Sequence, residues 1–180
     1  MNLILGFAPF IVFFLLSRLS ADVALWAAFA AAFVVTIRDF VESPTLRLLD
    51  IGNLMIFGAL ALVRGFLLPS LGPAAVRFLA ELALLVLLAG SIAIRRPFSL
   101  QYARVSPSEG WPPAVFRRVN YMTSIVWLAA FAAMAFADAA AVLLPLPLSF
   151  VIATGALALG IAVLFTLRYP PMVARRLARA

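Results

Sequence analysis

The sequence predicts an all-α fold, a polytopic membrane bundle of about six transmembrane helices arranged as three hairpins, and three observations predict it. Of 180 residues, 66% are hydrophobic and 12% charged, against roughly 45 to 50% apolar content in soluble domains. A hydrocarbon layer about 30 Å thick takes about 20 helical residues per crossing, so six crossings absorb the surplus and leave about 60 positions for turns and ends. Eleven of the fourteen basic residues share one side if the chain crosses an even number of times. A soluble globule, a nucleic-acid module and a disulfide scaffold are disfavoured on composition alone.

The apolar segments run, in order, over Leu3 to Leu16, Val23 to Ile37, Leu49 to Leu68, Phe78 to Ile94, Val119 to Ala137 and Ala141 to Leu167. The first two are short. They either span with Ser17, Arg18, Ser20 and Asp22 in the outer headgroup zone, or form a tilted, partly inserted hairpin. Met1-Asn2 gives no positive start and no Ala-x-Ala site precedes Arg18, so the first segment reads as a mature helix rather than a signal peptide.

Six crossings put Arg38 and Arg47, the loop arginines Arg95, Arg96, Arg104, Arg117 and Arg118, and the tail arginines Arg168, Arg175, Arg176 and Arg179 on one face. Arg18, Arg64 and Arg77 lie opposite. Basic residues are retained on the cytoplasmic side, so both termini are expected there, in a bacterial inner membrane. Residues 1–180 form one integral membrane domain, with a cytoplasmic amphipathic loop at 95–118 and a basic cytoplasmic tail at 168–180.

A weak repeat closes the even-numbered segments: Thr36-Ile37-Arg38-Asp39-Phe40, Ala93-Ile94-Arg95-Arg96-Pro97 and Thr166-Leu167-Arg168-Tyr169-Pro170. Arginine complements a helix carboxyl end and anchors at headgroups, and proline cannot continue the helix, so each helix is expected to stop there. Asn53-Leu54-Met55 and Asn120-Tyr121-Met122 recur near the starts of the third and fifth segments. Small residues suit close helix approach: Ala27, Ala28, Ala31 and Ala32, then Ala129 and Ala133, then Gly155 and Gly160. Pro145 and Pro147 imply a kink or a late start in the sixth helix.

With no Cys and no His, thiolate and imidazole chemistry are both missing, and the usual metal, haem and catalytic-triad sites lose their ligands. All fourteen basic residues are Arg, which removes Schiff-base lysine as well. No enzyme activity, metal or cofactor is expected, and no nucleic-acid partner. The acids Asp39 and Glu42, three apart, suit Mg²⁺ beside a phosphate only weakly and read mainly as solvated charge.

Arg64 and Glu81 are the expected intramembrane ion pair, brought together near the outer boundary by antiparallel packing of the third and fourth helices. Asp138 marks the following turn between the fifth and sixth segments. Asp50 and Asn53 share one helix face, and Asn120, Thr123, Ser124 and Trp127 form a second polar stripe. These side chains either line a cytoplasm-facing crevice or make interhelical hydrogen bonds.

The loop from Arg95 to Arg118 is the most individual stretch. Its binding candidates are Arg95, Arg96, Gln101, Tyr102, Arg104, Trp111, Arg117 and Arg118, for lipid phosphate, a protein partner or a phosphorylated small molecule. Ser106-Pro107-Ser108-Glu109 fits a capping box. Phe98, Tyr102, Trp111 and Phe116 are expected in the headgroup layer, above anionic lipid.

Ala8-Pro9-Phe10 followed by Phe13-Phe14, a hairpin ending at Arg38, Arg96-Pro97, and Pro113-x-x-Phe116-Arg117-Arg118-Val119-Asn120 leading to Trp127 resemble the intracellular septation protein A family of small bacterial inner-membrane proteins. The resemblance spans most of the chain, although Phe98 to Arg104 departs from the family pattern. It implies a multi-pass protein supporting division and envelope synthesis, without an established catalytic reaction.

A non-enzymatic membrane protein acting through protein and lipid contacts is therefore expected. Its partners would be the anionic bilayer, envelope-synthesis or division proteins, and other copies of itself. The alternative is a small transporter or lipid-handling protein with a polar crevice at Asp50, Asn53, Asn120 and Ser124.

Overall fold

The computed structural model describes residues 2–103, 111–144 and 146–178. Arg104, Arg179, Pro145 and the capping-box motif at 106–109 lie outside the described residues. The described chain is helical: α1 (Asn2–Gly6), α2 (Ala8–Leu16), α3 (Ala21–Glu42), α4 (Leu48–Leu62), α5 (Pro73–Ala93), α6 (Ser99–Ala103), α7 (Pro113–Leu143) and α8 (Leu148–Leu177). Among the described residues, five helices are long and apolar enough to cross a membrane, namely α3, α4 with its extension to Leu67, α5, α7 and α8.

The first apolar segment is split. Pro9 sits in the first turn of α2, where it has no N–H to donate back and its ring crowds the preceding turn, so α1 ends and α2 begins anew. Together they rise only about 22 Å, yet their aromatic rings fill the middle of the bundle. Phe7, Phe10 and Phe13 are fully buried. Phe7 stacks on Trp127 with centroids 3.7 Å apart, Phe10 meets Phe131 edge-on at 4.7 Å, and Phe13 meets Phe57 at 5.3 Å.

The second segment is longer than its apolar run. Ser20 caps α3 by accepting from the Val23 amide at 3.4 Å, and the helix runs past Arg38 to Glu42. It continues because its charges are paired: Arg38 Nε donates to Glu42 at 2.9 Å, and Asp39 is bound by Arg47. Ala21, Ala24, Ala28 and Ala32 are buried at helical spacing, which lets α2 and α4 approach α3 closely.

A π turn over Val63–Leu67 closes α4, with the Leu68 amide on the Val63 carbonyl at 2.7 Å. Its Arg64 corrects the expected ion pair, because Nε donates to Asp22 Oδ1 at 2.6 Å and not to Glu81. Antiparallel α3 and α4 bring the start of one level with the end of the other, and Asp22 stands in that first turn.

Asp138 is likewise corrected: it lies within α7, fully buried, and not in a turn. Arg77 of α5 neutralises it with donors at 3.1 and 2.9 Å, so the helix continues to Leu143. The sixth helix starts late, at Leu148, with Pro147 as its N-cap. At its other end α8 does not stop at Arg168 but continues through Pro170 and Pro171 to Leu177, beyond the length that about 30 Å of hydrocarbon requires, where water can satisfy the carbonyls those prolines release.

The long helices pack in succession, α3 on α4 as well as on α2, α4 on α5, and α5 on α7 as well as α7 on α8. These contacts do not single out three hairpins. Gly155 is a true close approach, since a Cβ there would clash with the Phe14 ring, whereas Gly160 has open space beside it. Ala129 and Ala133 face outward, and the neighbouring Ala130 and Met134 are buried instead.

Candidate functional site: a buried polar latch

After α5 the chain turns back under the bundle. Arg95 adopts a positive φ of 58°, and the Arg96 amide reaches the Ser91 carbonyl at 3.0 Å, the pattern that ends a helix with one left-handed residue. Ser91 Oγ then accepts from the Phe98 amide at 3.3 Å. Phe98 is driven fully inside, edge-on to Phe7 at 5.6 Å. Phe98 and Tyr102 therefore leave the headgroup layer expected for them, because this stretch buries its aromatic side chains against α1 and α7.

Three side chains of α6 fasten it. Ser99 Oγ donates to the Asn120 carbonyl at 2.8 Å and accepts from Ser124 Oγ at 2.9 Å. Gln101 Oε1 accepts from the Leu48 amide at 2.7 Å; α4 has no cap of its own, so a residue far along the chain supplies one. Tyr102 donates its hydroxyl to Asp50 Oδ1 at 3.1 Å.

Around Tyr102 the charged groups converge. The Arg47 guanidinium lies over its ring, 5.0 Å from the centroid, and also donates to Asp39 Oδ2. Arg47 and Asp39 are 2% and 1% exposed, so the loop arginine of the sequence is an interior cation, and Asp39 is neither solvated nor a vacant partner for Glu42. Asn53 Nδ2 donates to the Gly6 carbonyl at 2.8 Å. A Cβ on Gly6 would stand 2.9 Å from the Tyr102 hydroxyl, so only glycine admits the tyrosine there. Burial first, then the adjacent Asp50 carboxylate, push the Tyr102 phenol far above its usual range and keep it a donor.

Asp50, Asn53, Gln101 and Tyr102 are thus brought into one cluster, with Asn120 and Ser124 in a second one joined through Ser99. Asn120 Nδ2 donates to the Phe116 carbonyl of its own helix at 2.9 Å. All four expected crevice residues are buried and bonded within the protein. Arg47, Gly6 and Ser99 complete the latch without having been candidates, and Asp39, weighed only for Mg²⁺ with Glu42, joins it through Arg47. Among the described residues, no group of three or more acidic side chains is arranged to hold a metal ion.

The other candidates remain outside. Arg95, Arg96, Arg117 and Arg118 are exposed and Trp111 is half-buried. Trp127 Nε1 donates to Thr166 Oγ1 at 3.0 Å, which sets the antiparallel register of α7 and α8. Counting outward from that bond puts Arg117 and Arg118 level with Arg176 and Arg175. An open groove of about 590 Å³ on α8 is lined by Leu167, Arg168, Pro171, Met172, Arg175 and Arg176.

Compared with protein-family models, with curated proteins and with solved structures, the chain matches none.

Proposed function

We propose that the protein is a non-catalytic, multi-pass protein of the bacterial cytoplasmic membrane that supports envelope synthesis or septation through protein and lipid contacts. One observation carries this reading: Asp50, Asn53, Asn120 and Ser124 are hydrogen-bonded within the protein, while Arg95, Arg96, Arg117, Arg118, Arg168, Arg175 and Arg176 are directed outward. Exposed guanidinium groups at the ends of two long helices suit anionic headgroups and acidic partners. The resemblance to the intracellular septation protein A family points the same way.

The contacts also support six crossings with both termini cytoplasmic. α1 packs on α6, at the end where the arginines gather, and α2 runs from there toward the Ser17 to Ser20 turn before α3. The first segment then crosses with its phenylalanines packed among the other helices and Leu15 facing outward.

Photo-crosslinking of the full chain in its own membrane, from positions 111 and 114, tests the function. The expected result is covalent adducts with proteins of envelope synthesis or division, reduced several-fold by R117E/R118E. Adducts with lipid alone would overturn it. A second reading, transport or lipid handling, is favoured by the unpartnered Asn53 Oδ1, Arg47 Nε and Arg47 Nη2 inside the latch. Solute uptake into liposomes that D50N and N53L abolish would select it.

A further inference from the structure

Between α5 and α7, toward the end of the bundle opposite the latch, three charged groups meet. Arg77 donates twice to one oxygen of Asp138, Oδ1, at 3.1 and 2.9 Å. Glu81, one turn further along α5, lies within hydrogen-bonding reach of Asp138. Glu81 and Asp138 are 2% and 0% exposed, and Glu81 Oε2 and Asp138 Oδ2 have no partner among the described residues. The helices packed nearby bring no compensating charge. α8 has no ionisable residue before Arg168 and α2 has none; Arg18 beyond α2 lies over the Phe14 ring, and Arg64 in the π turn after α4 is held by Asp22 while Asp50 lies at the other end.

Two buried carboxylates and one guanidinium leave a net negative charge out of contact with solvent, and two buried acceptor oxygens without a donor. One added proton removes both defects. It cancels the charge and supplies the missing donor, as in other carboxyl pairs too close to ionise together.

We propose that Glu81 and Asp138 form a proton-binding site inside the bundle, in which Glu81 Oε2 carries the proton and donates it to Asp138 Oδ2. Asp138 is the charged member because both Arg77 bonds fall on it. Release of the proton restores the uncompensated charge at the α5–α7 contact, so this contact tightens with proton binding and loosens with its loss.

Infrared spectroscopy of the full chain in lipid nanodiscs at neutral pH tests the site. The unmutated protein should show a carboxylic-acid carbonyl band that shifts under ¹³C labelling of glutamate. E81Q should abolish that band, and so should D138N, which leaves Glu81 ionised as the sole partner of Arg77. A glutamate-insensitive band, no acid band, or a band that persists in both variants would overturn the proposal. If either variant fails to fold, the labelling of the unmutated chain decides alone.

Discussion

The Tyr102 hydroxyl donates to Asp50 across a sequence separation of 52 residues, and this bond ties the loop after α5 to the first turn of α4. It can form only because Gly6 leaves room beside it. A helix start, a buried tyrosine and a glycine near the amino terminus are thus one unit.

Loss of that donor leaves the Asp50 carboxylate buried without it. Y102F should lower stability by about 1 to 3 kcal/mol, read from thermal melting in detergent. The pH dependence has a definite sign. The folded-state phenol is raised above its unfolded value, so its stabilising contribution is complete below about pH 10 and is lost as pH climbs from there toward the folded value. The melting temperature of Y102F should fall less steeply above pH 10 than that of the unmutated chain.

Arg47 and Asp39 form a buried ion pair, where removing one member costs more than removing both. R47M or D39L alone should destabilise by about 3 to 5 kcal/mol, and the double R47M/D39L by markedly less. A double-mutant cycle of melting temperatures checks this; additive losses would show that the two groups act separately.

At Gly155 an added methyl would run into Phe14, which lies between α2 and α8. G155A should cost about 1 to 3 kcal/mol through overpacking. Shortening the ring to F14L in the same chain should recover most of it, as measured by the temperature of half-maximal aggregation.

Arg95 holds a left-handed conformation that side chains resist, at about 1 to 2 kcal/mol. R95G should therefore raise the melting temperature, while R95V should lower it. An unchanged midpoint in both would mean the turn tolerates either residue.

Much of the helical architecture was legible, because long apolar runs have few other destinations. The helix ends were not. The second helix was expected to stop at Arg38 and Asp138 to mark a turn, yet Asp39, Glu42 and Asp138 are helical, each neutralised by a guanidinium. For Asp138 that partner lies 61 residues away, a distance no local pattern reports. Arg64 was assigned to the wrong acid for the related reason that two neighbouring helices compete for it.

Of the site, Asp50, Asn53, Gln101 and Tyr102 were legible as polar groups needing a partner, but the partners proved internal. Arg47 was overlooked since a loop arginine reads as solvated. The closely spaced Phe7, Phe10, Phe13 and Phe14 were a usable signal, as an aromatic surface this dense seeks burial on more than one side.

The pairing of Phe7 with Trp127 has a consequence for biogenesis. Phe7 leaves the ribosome first, yet the indole it rests on arrives only after α3, α4 and α5 have been made. Until then the opening helices are a wedge without a slot, and nonlocal closure of this kind is slow. The middle of the molecule is therefore sealed only when α7 is threaded beside a segment made well before it.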